Sequence, residues 1–416
     1  MQDISQDAAA GLKVADLTFD EFLEMRDLWN ETVQGSLDND IFLTWEWLST
    51  WWRHYQDRNR FLVIVITDGG RIVAAAPLMT STYSLWGVTV TKLGFLGGSD
   101  YQNFVLTEAK PELAKMLIEY ADHKVPEWDF IGLNDIPCRS VTARTIGRVS
   151  TPTVRFDQTE GEICPYVALP KHRDAYLAAL RPHFASNLAK REGQLRANYK
   201  LEYKLLEDPD GVQRGMSAFF DLHQKRRAVK GESGMFSDQR TRDFHLDVAK
   251  SLARRRWLVL ALLLLDDEPV AATYNFRYGR RFYFYQSGLD PHYSQYSVGS
   301  LLHMHMISHC IASGMEEYDF MKGDEPYKAE WSTLRRTNVR FEATKRKVLP
   351  VLIKWISKSH TLSRALRHRA RTSFSATSTT ELNLVPSSSF MTSKSRLRAS
   401  RICLTSPRYD AAPIAT

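Results

Sequence analysis

Two phrases of this chain are each written twice, in the same order. "RFLVIVITDGGRIVAAAPL" (Arg60–Leu78) and "RWLVLALLLLDDEPVAATYNF" (Arg256–Phe276) both run Arg, an aromatic, Leu-Val, an apolar stretch, an acidic turn and then Val-Ala-Ala. "EWDFIGLNDIP" (Glu127–Pro137) and "EYDFMKGDEPYKAEW" (Glu317–Trp331) both run Glu, an aromatic, Asp, Phe and a polar turn closing on Pro. Val73 to Val270 spans 197 residues and Glu127 to Glu317 spans 190, so the two pairs lie nearly in register. One match is within reach of chance; two at a common offset argue for an internal duplication. Apolar runs of this length around an acidic turn read as hairpins of half-buried or fully buried strands.

Each half carries a helix between hairpin and closing phrase. In the first it is Pro111–Lys124, with Pro at the first helical position; in the second it is Val298–Ser313, ended by Gly314. Further helices are expected at Phe19–Trp29, Trp45–Tyr55, Asp174–Asn198, Gly215–Val229 and Asp238–Arg255. The fold class is therefore α/β (α+β): mixed, mostly antiparallel sheets flanked by helices, with a boundary in the stretch Thr151–Cys164. The expected domains are residues 1–155 and 160–345, followed by a basic amphipathic helix (346–371) and a disordered Ser/Thr-rich tail (372–416).

The formal charge of +7 is unevenly placed. Residues 345–371 hold nine Lys/Arg and no acid, and residues 372–416 add a net +3, which leaves −5 for residues 1–344. An acidic body argues against a nucleic-acid-binding core. The basic segment puts Leu349, Leu352, Ile353 and Ile356 on one helical face, suited to docking on the second domain or to peripheral contact with an anionic membrane. The longest apolar run, Trp257–Leu265, is too short for a bilayer span, and the first residues lack the pattern of a secretory leader. Four scattered cysteines without metal or redox spacing fit a reducing cytoplasm.

The stretch from Arg281, "RFYFYQSGLDPHYSQYSVGSLLHMHM", passes from an aromatic strand through a Gly/Asp/Pro loop into a helix. Free N–H groups at such a helix start, with Ser297, Gly299 and Ser300 offering small side chains, suit a phosphate; they also suit an ordinary N-cap. His305 and His309 stand four apart, as zinc ligands can, but no third ligand stands at the needed spacing and no metal is expected. Arg226, Arg227 and Lys230 are placed to border an anionic substrate or to end a solvated helix.

The run from Tyr283 to Trp331 resembles the GNAT-like acyltransferase family named for the cellulose-biosynthesis protein CelD/BcsL, related to the Fem aminoacyltransferases. The residues carrying it are the strand ending in Ser287-Gly288, Asp290-Pro291, Tyr296-Ser297-x-Gly299, and Asp319-Phe320-x-x-Gly323-Asp324-Glu325-Pro326-Tyr327-Lys328. Phe42–Tyr55 and Leu93–Leu106 look like the family's first half, and the resemblance spans about Phe19 to Lys345. It implies two tandem GNAT-like domains, the first a degenerate copy that helps form the acceptor cleft.

It also implies transfer from acetyl-CoA or another acyl-CoA to a sugar or polysaccharide precursor, with N-transfer favoured over O-transfer. Such chemistry needs a pyrophosphate cradle, a base, an oxyanion site and an acid for the leaving thiolate. Ser297, Gly299 and Ser300 fit the first need, Asp324 or Asp100 the second, a backbone N–H near Gln286 or Ser287 the third, and Tyr285 the fourth. Lys322 and Lys328 are the candidates to grip the acceptor or the donor phosphates. Two other readings stand beside this one: a Fem-like transferase using aminoacyl-tRNA on a peptidoglycan precursor, and a non-catalytic binding module of an exopolysaccharide assembly.

Overall fold

In the first half the chain forms β1 (Leu12–Leu17), α1 (Phe19–Glu24), α2 (Arg26–Gly35), α3 (Trp45–Tyr55), β2 (Asn59–Asp68), β3 (Arg71–Leu85), β4 (Val88–Phe95), β5 (Val105–Leu106), α4 (Pro111–Lys124), β6 (Phe130–Pro137), α5 (Val141–Ile146) and β7 (Asp157–Ala168). The second half forms α6 (Arg173–Ala179), α7 (Pro182–Asn198), β8 (Leu201–Leu206), α8 (Pro209–Ala228), α9 (Gln239–Arg254), β9 (Leu258–Leu265), β10 (Glu268–Tyr278), β11 (Arg281–Leu289), α10 (Val298–Ala312), β12 (Glu317–Asp319) and β13 (Arg335–Thr344). This computed structural model describes residues 11–85, 88–229 and 231–345. The expected basic helix, the expected tail and Lys230 lie outside the described residues.

One sheet runs through both halves in the order β1-β2-β3-β4-β6-β13-β7-β12-β11-β10-β9-β8, with β5 pairing β3. The halves repeat each other. β1–β4 and β8–β11 are antiparallel meanders; β6 runs parallel to β4, and β12 parallel to β11. The twin hairpins even share a turn: Gly69 and Gly70 both have positive φ, as do Asp266 and Asp267, the signature of a two-residue type I′ connection. The twin phrases open the parallel strand of each half, where Asp129 N–H donates to Thr91 O and Asp319 pairs with Tyr283.

The last strands are exchanged. β13 pairs with β6 of the first half, β7 pairs with β12 of the second, and the two pair with each other at the centre. The expected boundary at Thr151–Cys164 runs into β7, which pairs with β13 up to Pro165 and with β12 of the second half from Tyr166 to Ala168.

Strand periodicity sorts the core. On β2, Leu62, Ile64 and Ile66 face α4 and α5, while Val63 and Val65 face α1–α3. On β9, Leu258, Leu260 and Leu262 face α8 and α9, while Val259, Ala261 and Leu263 face α6, α7 and α10. Helices α1–α3 and α8–α9 share one core across both halves. Buried Glu46 ties them: it takes Arg26 at 2.9 Å, Asn30 at 2.9 Å and Arg255 of α9 at 2.8 Å.

Helix ends depart from the expectation where local chemistry decides. The single helix expected at Asp174–Asn198 is two, because Pro182 removes a donor and keeps Arg181 extended (φ −58°, ψ 126°). The expected Phe19–Trp29 helix breaks at Met25. The helix expected from Gly215 starts earlier, at Pro209, where Asp208 accepts from Gly211 N–H at 2.8 Å.

Polar groups lock the seam between the halves. Buried Asp319 accepts from Tyr101 Oη (3.0 and 2.9 Å) and from Met321 N–H (2.7 Å), with Arg336 at 3.6 Å. Asp40 caps a short turn through Phe42 N–H and faces Tyr283 and Arg281. Burial pushes the Asp40 carboxyl up to about 7, against the pull of Arg281.

Two stability outcomes follow. Asp319→Ala leaves Tyr101 Oη and Met321 N–H without their acceptor and removes one of the two carboxylates beside Arg336; it should cost about 3 kcal/mol in urea unfolding, against about 1 kcal/mol for Tyr101→Phe. Asp40 holds its proton in the folded chain to about pH 7 but in the unfolded chain only to about pH 4. The folded state therefore binds more protons in that window, and stability should fall as pH rises from about 4 to about 7. Asp40→Asn should flatten that part of the stability–pH curve; an unchanged slope would refute the assignment.

Candidate active site

The site is built on β11. Pairing with β12 stops after three residues, Arg281–Tyr283 against Glu317–Asp319, so among the described residues one edge of β11 from Phe284 to Leu289 pairs with no strand. The β10 partner of Gln286 is Tyr274 and that of Phe284 is Asn275, which leaves Tyr285 as an extra residue in a bulge. Its ring sits among Phe276 (5.2 Å), His245 (5.4 Å), Tyr274 (5.5 Å) and Trp47 (5.9 Å). Burial, with the charge of Asp100 next, holds the phenol well above its ordinary range, so it keeps its proton.

From Leu289 the chain turns through Pro291–Tyr296 into α10. Ser297 holds left-handed backbone (φ 52°, ψ 45°), costly for a residue with a Cβ, and its side chain does not cap the helix. Its Oγ accepts from Arg191 Nη1 of α7 instead, leaving the N–H groups at Val298, Gly299 and Ser300 without a side-chain cap. Arg226 of α8 donates to Ser287 Oγ, and Lys225 holds Asp290 at 2.7 Å. Burial lowers the Arg226 pKa, while Tyr327 and Glu325 pull it back up. α8 reaches this point because residue 288 is glycine: a Cβ there would stand 2.4 Å from His223 N.

The first half brings Asp100 near enough for its charge to act on Tyr285. Its loop leaves β4 through Gly97 (φ +82°), where a Cβ would meet Leu48 at 3.0 Å and Trp47 at 3.3 Å. Asp100 Oδ2 accepts from Lys322 N–H at 3.1 Å; Lys322 Nζ lies 3.8 Å from Oδ1 and 3.2 Å from Asp135. Burial raises the Asp100 pKa, against the attraction of Lys322. A carboxylate partly deprived of water, beside a protonated phenol, suits proton transfer.

The other candidates are separated. Asp324 is exposed and accepts from Arg335 Nη1 at 3.1 Å. Lys328, expected to grip substrate, is buried in its own loop. Its Nζ reaches Lys322 O and Gly323 O at 3.0 Å, Met321 O at 3.4 Å and Glu325 at 2.8 Å. The carbonyls freed where Met321 (φ +59°) turns the chain from β12 need a donor, and Lys328 is that donor. Asp324 and Lys328 therefore do not share the cleft as the spacing suggested. His305 stacks on Tyr203 (4.1 Å, 3°), and His303 bonds Tyr318 Oη at 3.0 Å. Arg191 carried no signal in the sequence beyond its place on a sparsely apolar helix.

Residues 182–329 match the model of the acetyltransferase (GNAT) domain. No curated protein matches the chain. FemX superposes over 82% of this chain and 99% of its own at 11% identity, with TM-score 0.59. A conserved protein of unknown function from Bacteroides thetaiotaomicron VPI-5482 superposes over 80% of this chain and 100% of its own at 14% identity, with TM-score 0.52. The second half thus carries a GNAT-like acetyltransferase domain, and the protein is of the acyltransferase class.

The geometry separates stability from chemistry inside the motif. Lys328→Met should lose about 3 kcal/mol in urea unfolding, since several carbonyls lose a charged donor at once. Asp324→Ala should lose less than about 1 kcal/mol, as for an exposed ion pair. Equal, small effects would return Lys328 to the list of substrate-binding residues.

Proposed function

We propose that the protein transfers an acyl group from an acyl-coenzyme A to an amine or hydroxyl of a sugar or polysaccharide precursor. The observation that supports this most is that β11 carries the bulged Tyr285 and leads into a start of α10 that no side chain caps, with Asp100 of the other half near enough for its charge to raise the Tyr285 phenol. The donor pyrophosphate is assigned to Ser297, Gly299 and Ser300, with Arg191 and Arg226 beside it. The acceptor attacks the thioester carbonyl and gives its proton to Asp100. The oxyanion is taken by a backbone N–H near Gln286 or Ser287, and the thiolate leaves with the proton of Tyr285.

The acceptor class, the preference for N-transfer and a place in exopolysaccharide synthesis rest on the CelD/BcsL resemblance of Tyr283–Trp331. The second reading, a Fem-like transfer from aminoacyl-tRNA to a peptidoglycan precursor, is favoured by the FemX superposition and opposed by the −5 charge of residues 1–344. We place the protein in the cytoplasm, with residues 345–371 available for membrane contact. Among the described residues no helix is long and apolar enough to cross a membrane.

Acyl-CoAs should raise the melting temperature of the wild type, and Gly299→Glu should remove that shift. Only the Leu289 side chain, at 3.3 Å, meets a Cβ at this position, so the variant should fold. With a turning-over acceptor, the wild-type kcat/KM should rise with pH through an apparent pKa above the usual aspartate range, and Asp100→Asn should erase that limb. Stabilisation by aminoacyl-tRNA but by no acyl-CoA would move the assignment to the Fem-like reading.

A further inference from the structure

Away from β11, α3 and α9 enclose a recess of about 340 Å³ lined by Thr50, Arg53, His54, Asp247, Lys250 and Arg254, with Ser251 at its side. On α3 the lining residues stand at i, i+3 and i+4, and on α9 at i, i+3 and i+7, so each set forms one stripe facing the other helix. The helices come from different halves and are held in place beneath the recess, where Phe244 packs on Trp47 at 5.4 Å and on Tyr55 at 5.6 Å.

The charges in the recess do not balance. Its carboxylate, Asp247, is occupied by His54 at 2.9 Å. Arg53, Lys250 and Arg254 have no carboxylate partner among the described residues; Arg53 has only the face of Trp45, at 5.9 Å. Several cations around the shared core and the seam are matched: Arg26 and Arg255 by Glu46, Arg240 by Asp57, Arg336 by Glu317 and Asp319. Here three cations without a carboxylate line one recess, in a body of net charge −5.

We infer that the recess between α3 and α9 binds a phosphoryl-bearing anion, such as a diphosphate or phosphate ester. Two guanidinium forks and an ammonium converging on one space suit several phosphoryl oxygens better than a single carboxylate. The volume takes one phosphorylated group. Binding there would clamp an α3–α9 pair that bridges the halves, and it does not depend on the assignment of the donor site.

Calorimetric titration of the full chain with inorganic pyrophosphate tests this. With coenzyme A present at saturation to fill the proposed donor site, wild type should bind, and Arg53→Gln/Lys250→Gln/Arg254→Gln should bind roughly tenfold or more weakly. Lys250→Gln alone, with a smaller loss, serves if the triple variant melts early. Co-sedimentation with phosphatidylglycerol vesicles separates the sources of the group. Vesicle binding that drops in the triple variant points to a lipid headgroup; a pyrophosphate effect without a vesicle effect points to a soluble ligand. Equal pyrophosphate affinity in wild type and triple variant, or no binding by the wild type to either probe, overturns the inference.

Discussion

The exchange of β7 and β13 is the constraint on which the rest of the molecule depends. Each half makes five strands in the order of the other and leaves an edge that needs a partner. The partner comes from the opposite half in both cases, and the two exchanged strands then pair with each other. Neither half therefore completes its sheet alone. The shared core of α1–α3 with α8–α9 follows from this, since the fused sheet brings those helices onto one face.

The exchange also shapes the cleft. β12 lies between β11 and β7, and it stops after Asp319, where the chain leaves the sheet through Met321 in left-handed backbone. Because β12 is so short, β11 runs on without a neighbour, and the bulge at Tyr285 falls in that free part. In the first half β6 likewise pairs with β4 over three residues, Lys92–Gly94 against Phe130–Gly132, but β4 ends at Phe95, one residue later. A common strand order thus leaves a long unpaired stretch on β11 beyond the parallel pairing and almost none on β4.

Charge follows the same division. At the seam, Asp319, Glu317, Arg281 and Arg336 compensate one another in a region with little water, and they hold the halves in register. In the cleft, Asp100 and Tyr285 are only partly compensated, and burial shifts both toward their protonated forms. The first arrangement serves cohesion. The second favours retention of protons.

The sequence alone determined the duplication, the hairpins with their buried strands, the positions of α3, α4 and α10, and the turn from β11 into α10. These are local matters: apolar periodicity, turn residues and a helix start are written in neighbouring residues. It could not show that β7 and β13 change places, because strand partners more than a hundred residues apart leave no mark in composition or spacing. The tertiary structure alone decided which titratable groups meet. Asp324 and Lys328 stand four apart yet part company, one to solvent and one into its own loop, because the backbone turns over at Met321. Asp100 and Tyr285 lie 185 residues apart and are brought within electrostatic reach of each other, because their halves share one sheet and one core. Proximity in sequence fixed the first pair as candidates; burial and the fold of the chain selected the second.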